Sequence, residues 1–195
     1  MTQLILVNQQ DQPIGYEEKS LCHQGKGKRH RAFSVWVFNN QGETLIQQRS
    51  RFKSLWPLYW ANTCCSHPVK GEKTRVAAIH RLKEELGFSC PLEFIYKFEY
   101  RAEYKNIGGP ARPRLQRFER SDCGQVNALA FGGEHEFCYV YSGQYDGVAK
   151  PDPKEIADWR WISLEQLEKE IKQQPGAFTP WIKLELKRIS NVKNH

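Results

Sequence analysis

Through its first fifty positions the chain carries short apolar runs between turn-forming clusters rather than a helical stripe. Residues 4–8 read as a strand, residues 32–38 (AFSVWVF) as a buried strand, and residues 44–48 as its hairpin partner. The intervening Asn-Asn-Gln-Gly at 39–42 has the turn chemistry that such a hairpin needs. Over 72–86 the period changes. Val76, Ile79, Leu82 and Leu86 recur three and four apart, which predicts a helix, with Gly87 placed to stop it at the C′ position. Residues 94–104, 134–141 and 159–162 read as strands again. Ser163 with Gln166 forms a capping-box pattern that opens a helix to about position 174. Thr179 as N-cap and Pro180 at the first helical position start another, with Trp181 in its first turn.

Alternating strands and helices of this kind predict an α/β (α+β) fold with a mixed or antiparallel sheet. One stretch departs from the pattern. Residues 108–130 lack apolar periodicity and set four arginines against Glu119 and Asp122. They read as a long loop inserted between two strands, either passive or a lid over a substrate.

Composition narrows the class of protein. With 195 residues, 39% hydrophobic and 12% aromatic, the chain can bury one substantial core, so a single compact domain over 1–195 is expected. A net charge of +7 suits nucleic acid, an acidic membrane surface or an anionic small molecule. There is no block of like charges resembling a nucleic-acid tail, and no apolar run long enough to span a membrane. The short run at 4–7 lacks the features of a secretion signal, so a soluble, cytoplasmic protein is expected. Cys22, Cys64, Cys65, Cys90, Cys123 and Cys138 show no C-x-x-C pairing, and reduced thiols are the expected state.

Two short clusters carry the candidate chemistry. Cys65 and His67, in NTCCSHPVKGE, are spaced i, i+2, and so are Glu134 and Glu136, in GGEHEFCYVY. That spacing puts each pair on one face of an extended chain, and puts Cys64 and His135 on the opposite face. With His23 and His30 upstream, three imidazoles and two carboxylates could converge on one divalent cation, with the Cys65 thiol beside it.

The order of motifs carries a resemblance. His23, His30 at the head of AFSVWVF, WANTCCSHPVKGE, a helix ending EELG, Tyr100-Arg101-Ala102, GEHE and AFTPW follow one another as in the type 1 isopentenyl-diphosphate isomerases, which are members of the Nudix superfamily. The resemblance spans nearly the whole chain except 108–130. It implies a mixed β-sheet sandwiched by helices. The Nudix signature helix, which ordinarily carries Arg-Glu, then Glu-Glu, then Gly, corresponds here to Glu72, His80-Arg81, Glu84-Glu85 and Gly87, with Ser66 where the box would begin with glycine. Replacing Arg-Glu by His80-Arg81 removes a carboxylate that Nudix hydrolases use for magnesium, which disfavours pyrophosphate hydrolysis.

By that similarity the chain would interconvert isopentenyl and dimethylallyl diphosphate, protonating one end of a double bond and deprotonating the other. Cys65 would donate or accept a proton on one face, and Glu136 would serve the other with Tyr100 hydrogen-bonded to it. Trp181 would present its ring to the tertiary cation, an attraction of about 2 kcal/mol or roughly thirtyfold in rate, too little to account for catalysis alone. His23, His30, His67, Glu134 and Glu136 would hold zinc, manganese or magnesium. Lys19, Arg49, Lys53 and Arg81 would hold the diphosphate, with a magnesium ion bridging it to Glu85. Trp56 and Trp60 are expected in the pocket wall or core. The implied partner is a small diphosphate, taken up by a monomer with no role for nucleic acid or membrane. A Nudix-type diphosphate hydrolase and a non-catalytic metal-binding module are the rival readings.

Overall fold

The strand predicted at 32–38 lies at the centre of the sheet. In the computed structural model, which describes residues 2–105 and 131–193, β3 (His30–Phe38) is buried along almost its whole length. It pairs in parallel with β8 (Phe131–Gln144) from His30↔Glu136 to Phe38↔Gln144. Its other edge pairs antiparallel with β1 (Gln3–Val7), β6 (Cys64–Ser66) and β4 (Thr44–Arg49) in turn. Both of its faces are also packed, Ala32, Trp36 and Phe38 in one core cluster and Phe33, Val35 and Val37 in another, which is why AFSVWVF is apolar without alternation.

Four more strands complete one mixed sheet among the described residues. β2 (Pro13–Glu18) pairs with β1, β5 (Trp60–Ala61) and β9 (Ile156–Ile162) with β4, and β7 (Leu92–Lys105) with β8. The 39–42 turn forms as predicted: Asn39 Oδ1 accepts from the amides of Gln41 and Glu43, and Gly42 takes φ 76°. β2 was not predicted, because PIGYEE has neither alternation nor an apolar run and lies half-exposed.

Helices cover both faces. α1 (Lys19–Cys22) is a single turn after β2. On one face α2 (Thr74–Leu86) packs Ala77, Ala78, Leu82 and Leu86 against Phe33, Val35 and Val37. On the other, α3 (Leu164–Gln173) and α4 (Pro180–Lys193) bring Leu167, Ile182, Leu186 and Ile189 against Ala32, Trp36 and Phe38.

Helix ends mostly follow the predicted caps. α2 begins two residues later than expected and ends at Gly87, which has φ 78° and an amide donating to Lys83 O. A β-carbon at Gly87 would lie 2.8 Å from Lys150 O. Val76 is 41% exposed, because the buried stripe runs through the small alanines that let the helix sit close to the sheet. Ser163 caps α3 by accepting from the Gln166 amide, but Gln166 turns to Glu170 and leaves the capping box half made. The expected Thr179 cap does not form: its hydroxyl is buried without a hydrogen-bond partner, while its amide donates to Trp60 O and ties α4 to β5. The expected loop at 108–130 lies outside the described residues. No helix among them is long and apolar enough to cross a membrane.

Candidate active site

Strand register assembles the site. Residues directly opposite in paired strands share a face, so β3–β8 pairing sets His30 beside Glu136 and β7–β8 pairing sets Tyr100 beside Glu136. β3–β6 pairing places Cys65 beside Ser34, four residues along the same face of β3 from His30. These side chains line a cavity of about 530 Å³ together with His23, His67, Glu134 and Trp181 from elsewhere in the chain. Cys64 and His135 point away, as the alternation predicts. Cys64 is buried in the core beneath α2, and His135 meets Glu99 at 2.6 Å on the far side of the sheet.

His23, His30, His67 and Glu136 offer ligand atoms that all lie within 4.8 Å of one another. His23 Nδ1 and His30 Nδ1 contact the carbonyls of Lys19 and Lys28 at 2.7 and 2.6 Å. A carbonyl can only accept, so each ring carries a proton on Nδ1 and leaves Nε2, which faces the cluster, as the atom that a metal would bind. His30 Nε2 is buried without a hydrogen-bond partner. Burial pushes the His23 imidazolium down to about 4 and holds His67 well below the usual range, so both rings are neutral, the form that ligates. The donor set fits a divalent cation. Glu134 lines the same cavity but stands outside this group of four, with its carboxyl engaged by Tyr100.

The Tyr100 hydroxyl lies 2.6 Å from Glu134 Oε2 and 2.7 Å from Glu136 Oε2. A phenol has one proton to donate, so only one contact can be its own donation, and the other needs a proton on the carboxyl. Burial, then the neighbouring Glu136 charge, raises Glu134 to about 8. Burial also opposes the charge on Glu136, but the imidazoles of His30 and His67 outweigh it, the latter by hydrogen bonding with Nε2 2.9 Å from Oε1, and hold that carboxylate well below its usual range. The shared proton therefore sits on Glu134.

Cys65 has two oxygen neighbours, Asn62 Oδ1 at 2.9 Å and Ser34 Oγ at 3.6 Å. Burial, then the nearby Glu185 carboxyl, pushes the thiol well above the ordinary cysteine range, so the group is a thiol rather than a thiolate.

Cationic side chains share the cavity. Lys19, Arg49, Lys53 and Arg81 all line it, as does Glu85. Burial, then the charges of Lys53 and Arg81, lowers the Lys19 ammonium, the signature of cations crowded together without enough counter-charge. Arg81 donates to Glu85 at 2.5 Å and to Glu155 at 3.2 Å, and Lys53 also pairs with Glu155. Arg49 donates to the carbonyls of Leu55 and Trp56, and its guanidinium lies 5.3 Å from the Trp181 ring centre. Those two bonds brace Trp56, whose φ of 46° is unusual for a side chain of that bulk. Trp56 is a core residue packed edge-on against Trp181 at 5.3 Å, and Trp60 lies against Arg160 away from the cavity. His80 is exposed and contacts Glu72, outside the cavity.

Four residues near the site escaped sequence reasoning. Ser34, Asn62 and Glu185 form the polar surroundings of Cys65, and Glu155 joins Lys53 to Arg81. Glu185 alone left a signal, a carboxylate within the inward stripe of α4 that otherwise reads Trp181, Ile182, Leu186 and Ile189.

Comparison with known proteins gives the family and the fold. The NUDIX domain family matches residues 28–182. An isopentenyl-diphosphate Delta-isomerase of Burkholderia multivorans is 39% identical over 95% of this chain and 91% of its own length. Its namesake in Nocardia farcinica is 36% identical over 91% of this chain and 88% of its own length. Among solved structures, a Deinococcus radiodurans protein aligns over 95% of this chain and 98% of its own, with a TM-score of 0.69 at 20% identity. A MutT protein from Methanosarcina mazei aligns over 86% of this chain and 96% of its own, with a TM-score of 0.60 at 13% identity. Both share the fold.

Proposed function

Because the chain belongs to the isopentenyl-diphosphate Delta-isomerases, within the NUDIX domain family, we propose that its cavity performs that isomerisation with Cys65 and the Tyr100-linked Glu136 as the two proton-handling groups. The single observation that carries the assignment of roles is that a thiol and a phenol-bridged carboxylate pair line one cavity together with four cationic side chains. The acid adds a proton to the terminal methylene of isopentenyl diphosphate, leaving positive charge on the branched carbon. The base then removes a proton from the carbon between that centre and the CH₂ bearing the diphosphate, and the electron pair of the broken C–H bond closes the new double bond. The interconversion runs both ways, so the group that donates in one direction accepts in the other.

The remaining residues orient and shield. Lys19, Arg49, Lys53 and Arg81 hold the diphosphate oxygens, Arg49 and Arg81 offering planar donor forks and the lysines point charges. Trp181 lies over the positive charge and, with Trp56 behind it, excludes water that would otherwise add to the cation. Tyr100 keeps Glu134 and Glu136 close by carrying a hydrogen bond between them. His23, His30, His67 and Glu136 would hold a divalent cation, with Glu134 as a fifth ligand, and Glu85 would meet a magnesium ion on the diphosphate. When bound, such a cation supplies positive charge that offsets the paired carboxylates. Zinc, manganese and magnesium all suit this donor set. The reading takes residues 1–195 as a single domain acting as a cytoplasmic monomer.

The test is to incubate the protein with isopentenyl diphosphate and divalent ions in heavy water. The expected result is dimethylallyl diphosphate carrying deuterium. Release of phosphate without double-bond migration would overturn the reading and favour a hydrolase.

A further inference from the structure

Glu185 is 0% exposed and forms no ion pair among the described residues. Ser34 Oγ and Trp36 Nε1 each donate to its Oε2 at 2.6 Å, while Oε1 is buried without a hydrogen-bond partner. Burial raises its carboxyl to about 7. A buried carboxyl with one unused oxygen is a costly group to keep inside a protein, and apolar packing would serve α4 better. What it touches gives it a use.

Counting protons fixes the direction of each bond. With Glu185 ionised, Oε2 can only accept, from Trp36 Nε1 and from Ser34, so the single Ser34 proton is committed to it. Asn62 Nδ2 must donate to the Val35 carbonyl and, at 2.7 Å, to Ser34 Oγ. Its Oδ1 then faces Cys65 as an acceptor. Both oxygens beside the sulfur thus accept, and neither offers it a proton. Were Ser34 released from Glu185, its hydroxyl could turn and donate to the sulfur 3.6 Å away, changing the direction in which the thiol proton points.

We propose that Glu185 is a positioning residue for the reaction, taking the Ser34 proton so that the Ser34 oxygen faces Cys65 as an acceptor and the thiol proton stays directed towards Asn62 and Ser34. The inference rests on the assignment of Cys65 to proton transfer. It concerns alignment, not the ionisation of the thiol, so its signature is a change in kcat without a matching change in KM.

The experiment measures kcat, KM for isopentenyl diphosphate and the thermal midpoint for a set of variants. Ser34→Ala and Glu185→Leu are expected to lower kcat by between about tenfold and about a hundredfold, the cost of a misaligned reacting group, with KM within about twofold. Their double variant should be no slower than the slower single, since both break the same link. Glu185→Gln, whose amide oxygen can accept from both donors, should restore kcat to within a few-fold of the wild type. Trp36→Phe removes the other bond to the same oxygen without touching the path to Cys65. It should lower the thermal midpoint and leave kcat within about twofold.

Additive losses in the double variant would overturn the inference, and so would a Ser34→Ala protein with wild-type kcat. A Trp36→Phe protein as slow as Ser34→Ala would also overturn it, leaving Glu185 as packing alone. If Glu185→Leu does not fold, Ser34→Ala and Glu185→Gln decide between these outcomes. A wild type without isomerase activity overturns the functional reading together with this inference. An active wild type, an inactive Cys65→Ala and an unaffected Ser34→Ala overturn this inference only.

Discussion

The hydroxyl of Tyr100 stands 2.7 Å from Glu136, directly across the β7–β8 ladder, and the same oxygen is 2.6 Å from Glu134. One phenol therefore joins two buried carboxyls that would otherwise face each other with a single proton between them. Tyr100→Phe removes the bridge and keeps the ring. The expected outcome is a kcat lower by about 10²-fold or more with KM little changed, in the range associated with loss of a proton-transfer partner. Steady-state kinetics with isopentenyl diphosphate checks it, and an unchanged kcat would remove Tyr100 from the mechanism.

Neighbouring cysteines should separate chemistry from packing. Cys65→Ala is expected to retain the fold and lose isomerisation by about 10²-fold or more. Cys64→Ala should instead keep kcat within a few-fold and cost about 1 kcal/mol of stability, because Cys64 packs under α2 on the other face of the strand. Deuterium uptake into product and urea unfolding read the two effects independently. Equal losses of activity would contradict the placement of the strand's two faces.

Stripping divalent ions should destabilise the protein before any assay of activity. Chelation is expected to lower the thermal midpoint, and returning a divalent ion at about 100 times its Kd should restore about 2.7 kcal/mol. His30→Gln should abolish that response together with stoichiometric metal retention, since His30 Nε2 faces the cluster, buried and without a hydrogen-bond partner. Metal content by elemental analysis provides the second readout. Undiminished metal binding by His30→Gln would show that the ion sits elsewhere.

Acid should weaken the link between β9 and the cationic wall of the cavity. Burial opposes the charge on Glu155, but Lys53 and Arg81 outweigh it and hold its carboxyl down at about 2, against an ordinary value of 4.5. A depressed carboxylate contributes stability that is fully present above the unfolded value and is lost as pH falls through the folded one, here between about 4.5 and about 2. Glu155→Gln should therefore be less stable than wild type at pH 7 and should lose less on acidification through that window. Urea midpoints measured from pH 6 downward test it. Parallel curves for the two proteins would exclude Glu155 from the acid response.

Local rules in the amino-acid order were enough for much of this molecule. Turn chemistry at 39–42, the Gly87 stop and the Ser163 cap depend on contacts within a few residues, so their physics is legible in the chain itself. Alternation along an extended strand likewise separated Cys65 from Cys64, and Glu134 and Glu136 from His135. The order of motifs identified the family and proposed the site residues.

Tertiary structure decided what depends on pairing across the sheet. Only the register of β3 with β8 and β6 brings His30 to Glu136 and Ser34 to Cys65, residues separated by long stretches of chain. The half-exposed β2 gave no local pattern to read, and Thr179, whose hydroxyl does not cap α4, is instead tied through its amide to Trp60 O, a partner set by packing. Glu185 reaches Ser34 across 151 positions, and its effect on a thiol arises because a buried carboxyl leaves a hydroxyl only one direction in which to donate. Spacing along a chain specifies which face a side chain occupies. Which partner waits on that face is a property of the folded sheet.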